Sequence, residues 1–183
     1  MMRPVSAEFE KTADKLVYIS MGTVVDKTLK FFRNCIKAFG GCEYQVVISV
    51  GNKIDIAELG ELPANVTVYP FVEQLAVLEK ADAFITHCGM NSASEALWYG
   101  VPLVTFPQTP EQGVVAHQAE VNGAGVRLKS ISHEKIRQAV DLVINDASYK
   151  RAAEVISRSF RKCGGAEMAA DKIERESLHK HNE

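Results

Sequence analysis

The stretch FITHCGMNSASEALWYGVP, residues 84–102, ends an apolar run in a histidine and passes through small and polar residues into a helical pattern. Where a strand hands over to a helix, the first amides lack intrahelical partners and the helix carries a partial positive charge. An anion set against Gly89, Asn91 and Ser92 is therefore held by backbone N–H groups and hydroxyls. Such a site suits phosphate, and the absence of a lysine suits a diphosphate that must be gripped yet leave. Plainer readings stand beside this one. Ser92-Ala93-Ser94-Glu95 fits a capping box, with Glu95 reaching back to a free amide, and His87 alone fits an interior or turn histidine. Two further strand ends carry suitable residues: Ser20-Met21-Gly22-Thr23, where Gly22 allows close backbone approach and Thr23 offers a hydroxyl, and PQTPEQ at 107–112.

The elements that must position these residues alternate along the chain. LVYISM (16–21), QVVISV (45–50), VTVYPF (66–71), AFIT (83–86), PLVTF (102–106) and the weaker GVRL (125–128) read as strands. They are nearly continuous in apolar residues, as parallel strands covered on both faces must be. Segments 26–39, 72–80, 91–99 and 112–122 have the length and spacing of crossover helices. This pattern predicts an α/β fold, a doubly wound parallel Rossmann-like sheet of six strands. From 131 the strands stop: Ser132 is placed as a helix cap, and helical segments follow at 147–162 and 165–178. One domain spans 1–183, with a lead-in at 1–14, a sheet core at 15–130 and terminal helices at 131–178. Ligands of open parallel sheets bind beyond the carboxyl ends of the strands, where the polar residues above fall.

Composition narrows the partners. The 21 Lys+Arg against 23 Asp+Glu, a net charge of −2, create no positive field to gather a nucleic-acid backbone. No stretch of eighteen apolar residues exists to span a membrane, and the start lacks an export signal. Cys35, Cys42, Cys88 and Cys163 form no C-x-x-C pair, which predicts reduced thiols in a cytoplasmic protein, with Cys88 a small buried hydrophobe. The dinucleotide motif, the P-loop, the Gly-x-Ser-x-Gly elbow and a metal-ligand cluster are all absent from the sequence.

The run FITHCGMNSASEALWYGVPLVTFPQTPEQGVVAHQAEVNGAGVRL, 84–128, resembles the nucleotide-sugar signature of the family-1 UDP-glycosyltransferases, the macrolide branch in particular. VYISMGT and VISVGNKIDIAELGELPANVTVYPFVEQLAVLEKADAFITH are similar to that branch too, and the resemblance covers about residues 15–175. It implies the C-terminal, donor-binding half of a GT-B fold, with the acceptor half absent. By the same resemblance Phe71 stands where a tryptophan stacks on the donor base and Gln74 where a glutamine contacts that base. Glu95 matches a glutamate that bridges the ribose hydroxyls. His87, Gly89, Asn91, Ser92 and Thr23 match positions around the diphosphate, and Glu111 and Gln112 match a pair that binds the sugar. Phe71 as core beside Pro70, and Glu111-Gln112 as an exposed helix start, remain as alternatives.

The implied reaction is inverting transfer of a sugar from UDP or dTDP to a hydroxyl of a small acceptor, with neither cofactor nor metal. The family's general base is a histidine oriented by an aspartate in the N-terminal half; none of His117, His133, His179 and His181 matches it, so no catalytic residue is expected in this chain. The lead-in MMRPVSAEFEKTADK resembles an interdomain linker. The favoured reading is a donor-binding half inactive alone, divided from a longer enzyme. The alternatives are a separately encoded subunit needing a partner chain and a nucleotide-sugar epimerase fragment.

Overall fold

In the computed structural model, which describes residues 10–22 and 29–179, the apolar runs form strands trimmed by at most two residues. They are β1 (Leu16–Ser20), β2 (Gln45–Ser49), β3 (Val66–Tyr69), β4 (Ala83–Thr86), β5 (Leu103–Thr105) and β6 (Gly125–Arg127). All pair in parallel in the order β3-β2-β1-β4-β5-β6, so the direction of winding reverses between β1 and β4. The helices are α1 (Leu29–Phe39), α2 (Gln74–Leu78), α3 (Met90–Trp98), α4 (Pro110–Val121), α5 (His133–Asn145), α6 (Ala147–Lys162) and α7 (Gly165–His179). Ser132 caps α5 as its sequence position predicts, accepting from the Lys135 N–H. Helix α3 begins one residue and α4 two residues earlier than their periodicity suggests, and α2 is shorter than its pattern. A 3₁₀ turn at Ile56–Leu59, capped by the Asp55 side chain, was not legible in the apolar pattern. The lead-in at 1–9, the expected start of the first helix at 26–28 and the end at 180–183 lie outside the described residues. Among the described residues no helix is long and apolar enough to cross a membrane.

Alternation along each strand divides the apolar side chains between two cores. Val17, Ile19, Val46, Ile48 and Ile85 pack under α1 and α5. Tyr18, Val47, Phe84 and Leu103 pack under α2, α3, α4 and α6. In the second core Tyr18 and Phe84 stack with ring centroids 4.8 Å apart at 8°. The helices over this face present alanines, Ala93, Ala96, Ala116, Ala119 and Ala153, all buried, which lets them approach the sheet closely.

On that same face each of the four central strands closes on a hydroxyl. Ser49, Ser20, Thr86 and Thr105 are register partners across β2, β1, β4 and β5 and form a row at the carboxyl edge. Each hydroxyl engages a backbone group: Ser49 donates to the Pro70 carbonyl, Ser20 accepts from Gly22 N–H, Thr86 accepts from Cys88 N–H and Thr105 donates to the Val126 carbonyl. The row marks the level at which the sheet changes from dry core to polar crevice.

At the opposite edge Asp82, just before β4, accepts from the Leu16 N–H at 2.9 Å and from the ammonium groups of Lys11 at 2.5 Å and Lys15 at 3.1 Å. Burial opposes its ionisation, but the bonds from Lys11, Leu16 and Lys15 outweigh that and hold the carboxyl below its ordinary value of 3.8. A depressed pKa stabilises the fold above the ordinary value, and the contribution fades as the pH falls below it. Asp82→Asn is expected to cost about 1–2 kcal/mol at pH 7, a fall of about 2–8 °C in Tm for a chain of this size. Thermal unfolding at pH 7 and again below pH 4 checks this, since the gap between variant and parent should narrow in acid.

Candidate functional site

The chain turns from β4 into α3 within three residues, His87, Cys88 and Gly89. Cys88 makes the turn possible by adopting φ +66°, which no other non-glycine residue does among those described. It is fully buried, and burial, with the charges of Glu111 and Glu120 adding and Arg127 opposing, pushes its thiol up to about 12. Despite its place at a strand-to-helix elbow, Cys88 is therefore the inert hydrophobe that the sequence suggested.

Gly89 is the N-cap of α3 and has no side chain to cap it. The first intrahelical bond runs from Ala93 N–H to the Gly89 carbonyl, so the amides of Met90, Asn91 and Ser92 precede the helical ladder and have no hydrogen-bond partner among the described residues. The other end of α3 is braced by α6. Ser157 and Arg161 donate to the Trp98 carbonyl, the Arg161 guanidinium lies 4.7 Å over the Trp98 ring, and Lys150 donates to the Gly100 carbonyl at 2.9 Å. Cations thus meet the negative end of the helix, while its positive end has no capping side chain among the described residues.

His87 is 8% exposed and lies between two glycines. A Cβ on Gly22 would stand 2.7 Å from its Cε1, and one on Gly89 would stand 2.7 Å from its Nε2. The glycine after β1, read in the sequence as room for a ligand, makes room for this ring first, and its φ of +68° independently favours glycine. Burial lowers the pKa of His87, opposed by the Glu111 charge and the Ser20 carbonyl. Its Nδ1 is buried without a hydrogen-bond partner among the described residues.

One turn into α3, a hydrogen-bonded cluster joins three elements. The Nε2 of Gln74, the first residue of α2, donates to Ser92 Oγ at 3.2 Å and to Glu95 Oε2 at 2.5 Å, while Tyr18 Oη lies 3.1 Å from Gln74 Oε1. This corrects the capping-box alternative. Ser92 is the third residue of the helix, not its cap, and its three-residue spacing to Glu95 places both on one face, toward Gln74. Phe71, in the loop after β3, is 40% exposed and so is not core. Asn91 is exposed in the first turn of α3. Glu111 is exposed in the first turn of α4, where a helix start would put it, yet its charge is felt at both His87 and Cys88. Gln112 is buried, its Oε1 accepting from the Gln108 N–H at 2.7 Å, so it shapes the turn before α4. Thr23 lies outside the described residues. Tyr18 and the hydroxyl row escaped the sequence reading, although each of the four strands carries its signal in a terminal serine or threonine.

The sequence profile of the family described as UDP-glucoronosyl and UDP-glucosyl transferase matches residues 2–162. The chain belongs to this family. Two curated relatives of this chain are the uncharacterized UDP-glucosyltransferase YdhE of Bacillus subtilis, 40% identical over 88% of this chain and 41% of the relative, and the oleandomycin glycosyltransferase of Streptomyces antibioticus, 34% identical over 92% and 40%. Among solved structures, the kitacinnamycin glycotransferase superposes with a TM-score of 0.86 at 34% identity, covering 96% of this chain and 47% of that one. The calicheamicin glycosyltransferase CalG4 gives 0.85 at 30%, covering 92% and 44%. The chain thus spans less than half the length of these relatives, in line with one domain of a GT-B fold.

The environments of the thiols lead to a test. Cys35 and Cys88 are buried with thiols pushed up by burial, whereas Cys163 is exposed. Brief iodoacetamide treatment of the native chain at pH 7.5, followed by peptide mass spectrometry, is expected to label Cys163 and leave Cys35 and Cys88 unmodified.

Proposed function

We propose that the chain is the donor-binding half of a glycosyltransferase that moves a sugar from a nucleoside diphosphate, UDP or dTDP, to a hydroxyl of a small acceptor with inversion. The observation that carries this reading is the open amino end of α3, with His87 wedged beside it and the Gln74–Ser92–Glu95 cluster one turn further in. The chain's similarity to a UDP-glucosyltransferase and to an oleandomycin glycosyltransferase supports it.

In this reading the α3 amides, His87, Gly89, Asn91, Ser92 and Thr23 surround the diphosphate. Glu95 accepts from the vicinal ribose hydroxyls through two carboxylate oxygens. Phe71 and Gln74 meet the base, while Glu111 and Gln112 meet the sugar. As the acceptor oxygen attacks the anomeric carbon, the bond to the β-phosphate oxygen breaks and its electron pair passes to the diphosphate. Charge grows where α3 presents its positive end, so that end is most useful in the transition state. The general base and the acceptor pocket belong to an N-terminal half or partner chain. The isolated chain accordingly binds donor and does not turn it over.

Two measurements test this reading. Calorimetry should detect UDP binding to the parent chain, weakened by about 1–3 kcal/mol in Glu95→Ala as ribose hydroxyls lose their acceptor; equal affinities would remove Glu95 from the ribose. The second uses UDP-glucose, whose phosphodiesters stay ionised between pH 5.5 and 8. Burial keeps free His87 neutral below its ordinary value of 6.5, and a bound diphosphate favours its protonated form. Affinity should therefore rise as the pH falls through this range, and His87→Gln should abolish the dependence. A flat profile in the parent would take His87 out of the phosphate site.

A further inference from the structure

We propose that Tyr18 is a positioning residue that fixes which way the Gln74 amide faces, and so holds Glu95 ready for the nucleoside part of the donor. The inference rests on the donor-binding reading above and adds to it a residue buried in the sheet.

The direction of the amide follows from what each neighbour can do. A glutamate carboxylate only accepts, so the Gln74 atom 2.5 Å from Glu95 Oε2 is the amide nitrogen. The carbonyl oxygen of Gln74 therefore faces Tyr18 at 3.1 Å, and because that oxygen only accepts, the phenol donates. Tyr18 suits a fixed donor. Its ring is 1% exposed and held by stacking on Phe84 at 4.8 Å. Burial, aided by the Glu95 charge and opposed by the Ser20 and Ser49 hydroxyls, drives its pKa far above the ordinary value of 10.0, so the proton stays on the phenol.

The consequence reaches the crevice in two steps. With its carbonyl tied to β1, Gln74 presents both amide hydrogens to α3, one to Ser92 and one to Glu95. The first residue of α2 is thereby locked to the third and sixth residues of α3 through a strand in the floor. Without the phenolic hydroxyl the Gln74 carbonyl loses its donor and the amide is free to turn. Glu95 then loses a partner that orders it before any ribose arrives.

Tyr18→Phe keeps the ring and its stacking and removes one oxygen. Calorimetry on the parent, Tyr18→Phe, Gln74→Ala and the double variant gives the decisive comparison, with side-chain amide NMR of Gln74 alongside. The expected result is an about three- to tenfold weaker affinity for UDP in Tyr18→Phe, with no further loss when Tyr18→Phe is added to Gln74→Ala. The Gln74 Nε2 resonances should shift and exchange faster with water in Tyr18→Phe. A merely structural role would weaken binding equally in both backgrounds. That outcome, an unchanged UDP affinity, or unchanged Gln74 resonances would each overturn the proposal. If the parent takes up no UDP, the donor reading falls, and the Gln74 resonances then decide alone whether Tyr18 sets the amide.

Discussion

The features at the carboxyl edge depend on how abruptly β4 becomes α3. A three-residue turn requires one residue in the left-handed region, and here a cysteine takes that conformation at a cost of about 1 kcal/mol or more. Complete burial of the side chain and the bond from Cys88 N–H to Thr86 Oγ1 offset the strain. Turning so tightly keeps the start of α3 close to the carboxyl ends of β4 and β1, where the His87 ring meets Gly89 and Gly22. A longer loop would have carried the helix away from the switch point and left His87 without the two glycine backbones that enclose it.

Above that turn, polarity changes in a graded way. The interiors of the four central strands are buried and carry no acidic or basic side chain, and a row of four hydroxyls at their carboxyl ends then attends to the backbone of the emerging loops. Backbone groups leaving the ladder are thereby satisfied within the domain. Tyr18 belongs to the dry side of that boundary by its ring and to the polar side by its hydroxyl.

Much of this was legible in the sequence. Near-continuous apolar runs revealed strands buried on both faces, and Ser132 and the 84–102 stretch announced their helix starts. What escaped was what only packing supplies. Tyr18 in LVYIS reads as core, and it is core; its hydroxyl acquires meaning only because α2 brings Gln74 above it. Ser92 and Glu95 have capping-box spacing, but Cys88 in its left-handed conformation lets the helix begin at Met90, which moves both residues inside it. Gly22 and Gly89 were read against a ligand, whereas the contact that rules out a side chain there is the His87 ring. The approach of α6 to the end of α3 joins residues more than fifty positions apart, which no local pattern signals.

That last contact bears on where the working unit ends. Six-strand closure is complete at β6, so a boundary drawn from the sheet alone would discard everything after Arg127. Lys150, Ser157 and Arg161 nevertheless clamp the far tip of α3, much as a bench vice holds a rod whose free end does the work. Any excised or transplanted version of this module therefore has to carry the chain through Lys162, because trimming it earlier would leave the rod in place but loosely gripped.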